Sequence, residues 1–289
     1  MPTRPDSYRA AQLPLFTIFE PKMKSGKTTG RIAIVSASEE ESGFAGLTNC
    51  GFKRKRIAGY DFYEGEIQGA PVVLLITGWG KVRAAQSVTL LHHHYPVTRL
   101  FFVGACGGIG EWQRGDICIP ALFDYYDFNV FPLLKSHIYP QFEPHGYLAL
   151  KHNAGMIKLV ERLLAEFGRV FYGLALTGDS FVTDKEVIHR TGKLDKFYKK
   201  LLPEMMKRGR EASGGSLNLP ALLKKSPKGA IIDMESAVIA ETCVNLNIDF
   251  LVIRIVSDSI DSNSHNDFTA FLTETMPRMT DKIIQIICK

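Results

Sequence analysis

The sequence predicts a single α/β domain with a mixed, mostly parallel central sheet flanked by helices. Two observations carry that prediction. Short apolar runs alternate with helix-like segments from residue 31 onward, with no Pro/Gly-rich linker dividing them. Alternation of this kind builds a sheet covered on both faces. The second observation is that two of the runs end at acids. Ala230-Ile231-Ile232 leads into Asp233-Met234-Glu235-Ser236-Ala237, and Phe250–Val256 is closed by Ser257-Asp258. Residues just past the carboxyl ends of strands line the usual ligand crevice of α/β proteins, so Glu235 and Asp258 are the first candidates for chemistry.

Bulk composition agrees. The chain has 289 residues, 45% of them hydrophobic and 22% charged, enough for one large core. No apolar run approaches the roughly 20 residues needed to cross a bilayer. Residues 1–30 lack the sustained apolar stretch of a secretory signal; we read them as an N-terminal extension, with the domain spanning 31–289. The five cysteines (Cys50, Cys106, Cys118, Cys243 and Cys288) are odd in number, widely spaced and without a CxxC pair. Reduced thiols in a cytoplasm fit better than a disulfide frame or a zinc site. The expectation is a cytoplasmic protein with no metal, no cofactor and no membrane partner.

The net charge of +5 is unevenly placed, with twelve Lys or Arg against four Asp or Glu between Lys185 and Lys228. A basic patch can attract anions or nucleic acid, yet this one has no interleaved aromatic platform. A solvated basic face is the plainer reading, and no nucleic-acid partner is expected.

In chain order, Arg31–Ser36 reads as the first strand, and Glu39-Glu40-Glu41 enters a helix. Acids in a first turn oppose the helix dipole, which explains one or two of them; the third can face the same crevice as Asp258. Lys53–Thr77 reads as a hairpin. Gly78-Trp79-Gly80-Lys81 makes a turn before a helix from Val82 to His94, without the spacing of a nucleotide-triphosphate loop. His92-His93-His94 point in different directions on a helix and read as exposed rather than as ligands. Leu100–Val103 reads as a strand running into the small-residue turn Gly104-Ala105-Cys106-Gly107-Gly108, where backbone N–H groups can meet a ligand. A close helix–strand crossing explains that turn equally well. Asp116–Ala121 is a strand leading to the aromatic segment Phe123–Phe131, either core or subunit interface. A helix at 153–167 and a strand at 170–176 precede Thr177-Gly178-Asp179-Ser180-Phe181-Val182. The basic segment then reads as helix over 185–207, followed by a Gly/Ser-rich loop at 214–216, and Asp267–Ile287 as one last amphipathic helix.

With the segments in this order, the sequence resembles the purine nucleoside phosphorylase/nucleosidase superfamily, and within it the 5′-methylthioadenosine/S-adenosylhomocysteine nucleosidases. The stretches that carry the resemblance are Ile34–Glu41 (IVSASEEE), Gly78–Ala85 (GWGKVRAA), Gly104–Gly108 (GACGG), Gly178–Val182 (GDSFV), Asp233–Ala240 (DMESAVIA) and Ile253–Phe268 (IRIVSDSIDSNSHNDF). The resemblance implies hydrolysis of the N-glycosidic bond of an adenine nucleoside. In that scheme Asp258 is the general acid at adenine N7 and Glu41 activates the attacking water. Glu235 accepts hydrogen bonds from the ribose hydroxyls, with Met234 beneath the sugar. Phe181 stacks on the adenine and the Val182 backbone bonds its edge, while Arg254 and Ser257 support the acid. The small-residue stretch Ala105, Cys106 and Gly107 lines the site. Trp79 and Phe268 face the 5′ substituent, helped by 130–133 of a second subunit in a homodimer.

Protonating a purine while a nucleophile meets the ribosyl cation is work suited to carboxylates. Phosphorolytic relatives place an Arg on the strand before the small-residue turn; here Phe102 and Val103 stand there, and nearby carboxylates would repel phosphate. Three positions depart from the nucleosidase pattern, with Ser38, Trp79 and Ala105 standing where Met, an aliphatic residue and Ser are usual, and the longer segment between Phe181 and Glu235 is expected to hold a basic insertion at about 185–228. The alternatives implied are an AMP nucleosidase-like activity, phosphorolysis, or an idle nucleoside-binding relative.

Overall fold

In the computed structural model, residues 30–44, 51–129, 148–149, 154–184, 188–189, 192–203, 219–259 and 264–289 are described. The expected N-terminal extension, the 130–133 segment and the 214–216 loop fall outside them, apart from Gly30.

The strands are β1 (Arg31–Ser36), β2 (Lys53–Ile57), β3 (Tyr60–Ile67), β4 (Ala70–Ile76), β5 (Val97–Gly110), β6 (Ile117–Tyr125), β7 (Leu148–Ala149), β8 (Val170–Thr177), β9 (Gly229–Asp233) and β10 (Asp249–Ser259). They form one mixed sheet in the order β10-β6-β8-β9-β5-β1-β4-β3-β2, with β7 on β6. Parallel pairing runs through β4–β1–β5–β10 and through β6–β8–β9. The β2–β3–β4 meander, β10 with β6 and β9 with β5 are antiparallel. Because β5 also pairs with β10, the strands β5, β10, β6, β8 and β9 close into a ring. Ile32–Val35, Val72–Leu75, Leu100–Val103 and Leu251–Ile253 are all buried, as continuous apolar runs covered on both faces should be.

The small-residue stretch Gly104–Gly108 is not a turn. It continues β5 to Gly110, pairing Gly104, Ala105 and Cys106 with β10, and Gly107 and Gly108 with β10 and β9 at once. Small residues are needed because the strand bends across the ring between two neighbours. At Gly229, which starts β9 at φ 127°, an added Cβ would collide with the Ile109 carbonyl.

The helices are α1 (Glu39–Ser42), α2 (Lys81–His94), α3 (Ala154–Phe167), α4 (Lys193–Lys196), α5 (Leu219–Lys224), α6 (Ser236–Asn245), α7 (Ser264–Glu274) and α8 (Met276–Cys288). The last helix expected from the sequence is thus two. Pro277 sits in the first turn of α8, where its missing N–H costs nothing, whereas in a continuous helix its ring would clash with the preceding turn. In α8, Met276, Thr280, Ile283, Ile284 and Ile287 are buried, the spacing of one apolar face. The helix expected over 185–207 is also interrupted. Gly192 takes a left-handed conformation (φ 65°) ahead of α4, and Phe197–Leu201 then forms a π-helical turn.

Candidate active site

The candidate residues gather at the carboxyl ends of β1, β5, β9 and β10. A bulge sets the position of Asp258. Val256 pairs with Cys106 and Asp258 with Gly107, leaving Ser257 as the extra residue. Bulges of this kind re-aim side chains near functional sites. Asp258 is 4% exposed, and Ser257 Oγ lies 2.6 Å from its Oδ1 and 3.0 Å from the Cys106 carbonyl. A hydroxyl both donates and accepts. Ser257 can therefore donate to an ionised Asp258, or accept from a protonated one while donating to Cys106.

Arg254 does something else. It lies fully buried on β10 with its guanidinium 4.5 Å from the centre of the Phe102 ring. Its Nε donates to Asp233 (2.8 Å) and its Nη2 to Glu235 (3.0 Å). Both of these hydrogen bonds go to acids other than Asp258, the one that the family resemblance pairs it with. Burial opposes its charge, but Asp233, Glu235 and Glu41 together more than compensate and keep it a cation.

Asp233 is the residue that sequence reasoning missed, although it stood inside the stretch that drew attention. Besides Arg254, it accepts from Thr177 Oγ1 (2.7 Å), Ser236 N (3.1 Å), Glu235 N (3.3 Å) and Ser236 Oγ. It satisfies backbone donors at the start of α6, as N-terminal acids do, and fixes the Arg254 guanidinium. The spacing of an Asp three residues ahead of the first helical residue was the available signal.

Glu235 ends this turn, 3% exposed. Its Oε1 accepts from Gly80 N (2.9 Å) and its Oε2 from Arg254, so the Gly78–Lys81 turn is tied to it. Burial raises its pKa and Arg254 works against that rise. Met234 beside it is half-buried.

Glu41 is the third residue of α1 and 5% exposed. Ser38 caps this helix, accepting from Glu41 N at 3.4 Å; the expected capping role falls to Ser38, and the third glutamate is left facing inward. Burial pushes the Glu41 carboxyl up to about 8, against the lowering effects of Arg254 and an Ala105 backbone hydrogen bond. Glu41 Oε2 and Arg254 Nη1 are both buried without a hydrogen-bond partner among the described residues. They face the same spot, since a Cβ on Gly104 would collide with both. Unsatisfied buried polar groups are rare, and this pair lies side by side against Gly104, where a side chain would displace both.

The remaining candidates lie around this centre. Ala105 and Cys106 are buried in β5 and Gly107 is half-buried; burial pushes the Cys106 thiol well up, so it is no thiolate. Trp79 and Phe181 are 66% and 48% exposed, so neither is explained as core. Val182 packs against the core edge. Phe268 lies on α7, but nothing of its side chain is described. The two loops carrying Trp79 and Phe181 meet at Lys81. Its Nζ donates to both Asp127 oxygens (2.8 and 2.7 Å), its N–H donates to Asp179 Oδ1 (2.7 Å), and Asp179 N donates back to Asp127 (3.0 Å).

A family model described as the phosphorylase superfamily matches residues 31–289. This chain belongs to that superfamily. Among curated relatives, a 5′-methylthioadenosine/S-adenosylhomocysteine nucleosidase of Bacillus cytotoxicus is 26% identical over 261 residues, covering 89% of this chain and 98% of its own. Among solved structures, the corresponding nucleosidase of S. pneumoniae with a transition-state inhibitor is 25% identical, covers 90% of this chain and 98% of that one, and superposes with a TM-score of 0.68. The Neisseria meningitidis enzyme in complex with methylthio-immucillin-A is 24% identical, covers 90% and 99%, and has a TM-score of 0.70; at that identity it supports the fold. Among the described residues, no helix is long and apolar enough to cross a membrane.

Proposed function

We propose that this protein hydrolyses the N-glycosidic bond of an adenine nucleoside, 5′-methylthioadenosine or S-adenosylhomocysteine in the simplest case, and releases adenine. The observation that carries this reading is the convergence of Glu41 Oε2 and Arg254 Nη1 on one buried point, with Asp258 held on the neighbouring bulge. Asp258 protonates the purine at N7, so the C1′–N9 electron pair leaves with a neutralised base. Water held between Glu41 and Arg254 attacks C1′ and gives its proton to Glu41. Burial raises the Glu41 carboxyl to about 8, so the form that takes the water's proton is the ionised one, whose share grows as pH rises toward that value. Glu235 takes the ribose hydroxyls while Arg254 and Gly80 hold it in place. Phe181 stacks on the adenine, the Val182 backbone meets its edge, and Met234 lies under the sugar. Ala105, Cys106 and Gly107 wall the site, and Trp79 and Phe268 face the 5′ group.

Water is favoured over phosphate as nucleophile by the charges. Arg254 is paired with two carboxylates, Lys81 with Asp127, and Lys193 with Asp124. An incoming phosphate would meet carboxylates first. The same pairing speaks against a 5′-phosphorylated substrate. The same reading takes the working form as a homodimer in the cytoplasm, a reducing compartment that suits free cysteines. Turnover of a nucleoside panel, AMP included, tests the substrate assignment. Free adenine from methylthioadenosine supports it; cleavage of AMP alone overturns the 5′ assignment.

A further inference from the structure

Lys193 is an outlier in its own segment. The 185–228 stretch carries the chain's excess of positive charge, and lysines are almost never fully buried unless paired. Lys199 behaves as expected, pairing with Asp195 in an ion pair whose side chains are 76% and 69% exposed. Lys193 instead is 6% exposed, and its Nζ donates at 2.7 Å to Oδ2 of Asp124, itself 7% exposed. Burial raises the Asp124 pKa and Lys193 is the main opposing influence.

Asp124 stands next to the end of β6, opposite Leu176 of β8, and its Oδ1 accepts from the Tyr125 backbone (2.8 Å). Tyr125 lies opposite Thr177 and donates its hydroxyl to Glu241 of α6 (2.7 Å). Tyr126 N donates to the Thr177 carbonyl (3.1 Å), its hydroxyl to the Ser180 carbonyl (3.0 Å), and its ring leaves no room for a Cβ at Gly178. The strand end that Lys193 grips therefore leads directly into Tyr126, which holds the 178–182 loop, while Tyr125 ties the same strand end to α6. Five residues on, in the π-helical turn, the Tyr198 hydroxyl bonds both the Gly229 N–H and its carbonyl (2.7 Å each) at the start of β9. The insertion is pinned to the two strands that flank β8, the strand leading into that loop. π-Helical turns are often found at functional sites.

We propose that the Lys193–Asp124 pair is a latch through which the basic insertion positions the 178–182 loop for the nucleobase, making both positioning residues rather than catalytic ones. The inference rests on the reading of that loop as the adenine site. Removing one partner leaves a lone buried charge, whereas removing both does not, and this separates positioning from folding. The test measures adenine Kd by calorimetry, nucleoside KM and kcat, and melting midpoint for wild type, Lys193→Met and Asp124→Asn/Lys193→Met. In Lys193→Met, adenine Kd and KM rise about tenfold with kcat within about twofold, as a displaced binding group would give. The double variant recovers the melting midpoint but keeps the raised Kd. A wild-type Kd in either variant overturns the latch, and so does a double variant that fails to fold, which would make the pair a folding strut. A wild type that binds adenine but cleaves no nucleoside condemns the functional reading alone.

Discussion

At the scale of single residues, the proposed reaction depends on three carboxylates with separate tasks. Asp258 must give a proton, so Asp258→Asn should lower kcat by about 10²–10⁴-fold, the range for a lost general acid. Adenine affinity should change little; an unaffected rate would remove Asp258 from the mechanism. Glu41 has a carboxyl at about 8 in the fold against an ordinary 4.5. Between those values the folded protein keeps a proton that the unfolded chain has released, so stability is greatest below the lower value and falls as pH rises through the upper. Glu235 and Asp124, also raised by burial, push in the same direction. The melting midpoint should therefore decline from pH 5 to pH 8, and decline less in Glu41→Gln, measured by calorimetry across that range. Equal slopes would contradict a Glu41 buried as described. All three acids were legible in the sequence because each follows a strand or enters a helix. Their partners were not. Nothing in the order of residues says that Arg254 bonds Asp233 and Glu235, because these partners meet only when β9 and β10 are both paired with β5, with Phe102 beneath the guanidinium.

At the scale of elements, the site is a product of how β5 and β10 run together. Bending β5 across the ring keeps Gly104 against Arg254 and Glu41, where a side chain has no space. Gly104→Ala should therefore cost about 1–3 kcal/mol by overpacking and lose activity with it. A thermal melt paired with an activity assay checks this; an active, unshifted variant would mean that Glu41 and Arg254 do not converge there. The sequence read this stretch as a turn because consecutive glycines usually punctuate. Ring closure reverses that meaning, and it is non-local: β9 arrives from more than a hundred residues away. Strands β1, β8, β9 and β10 were recognisable as short apolar runs. The break between α7 and α8 was signalled by Pro277 and read through. The disruption at Gly192 was hidden in a segment whose charge drew more attention than its glycine.

At the scale of the whole molecule, the order of six short stretches gave the fold better than any of them could alone, and the family match over 31–289 agrees with it. The basic insertion stays the least legible part. Its charge suggested a solvated face, which Lys199 fits and Lys193 does not, because an ion pair with Asp124 appears only when β6 and the insertion are brought together. The same charge balance bears on the choice of nucleophile, since Arg254, Lys81 and Lys193 are held by carboxylates. Adenine release from methylthioadenosine in phosphate-free buffer, repeated with phosphate added, tests this most directly. The account predicts the same rate in both and a free sugar as the second product. Release that depends on phosphate, with a sugar 1-phosphate formed, would contradict it.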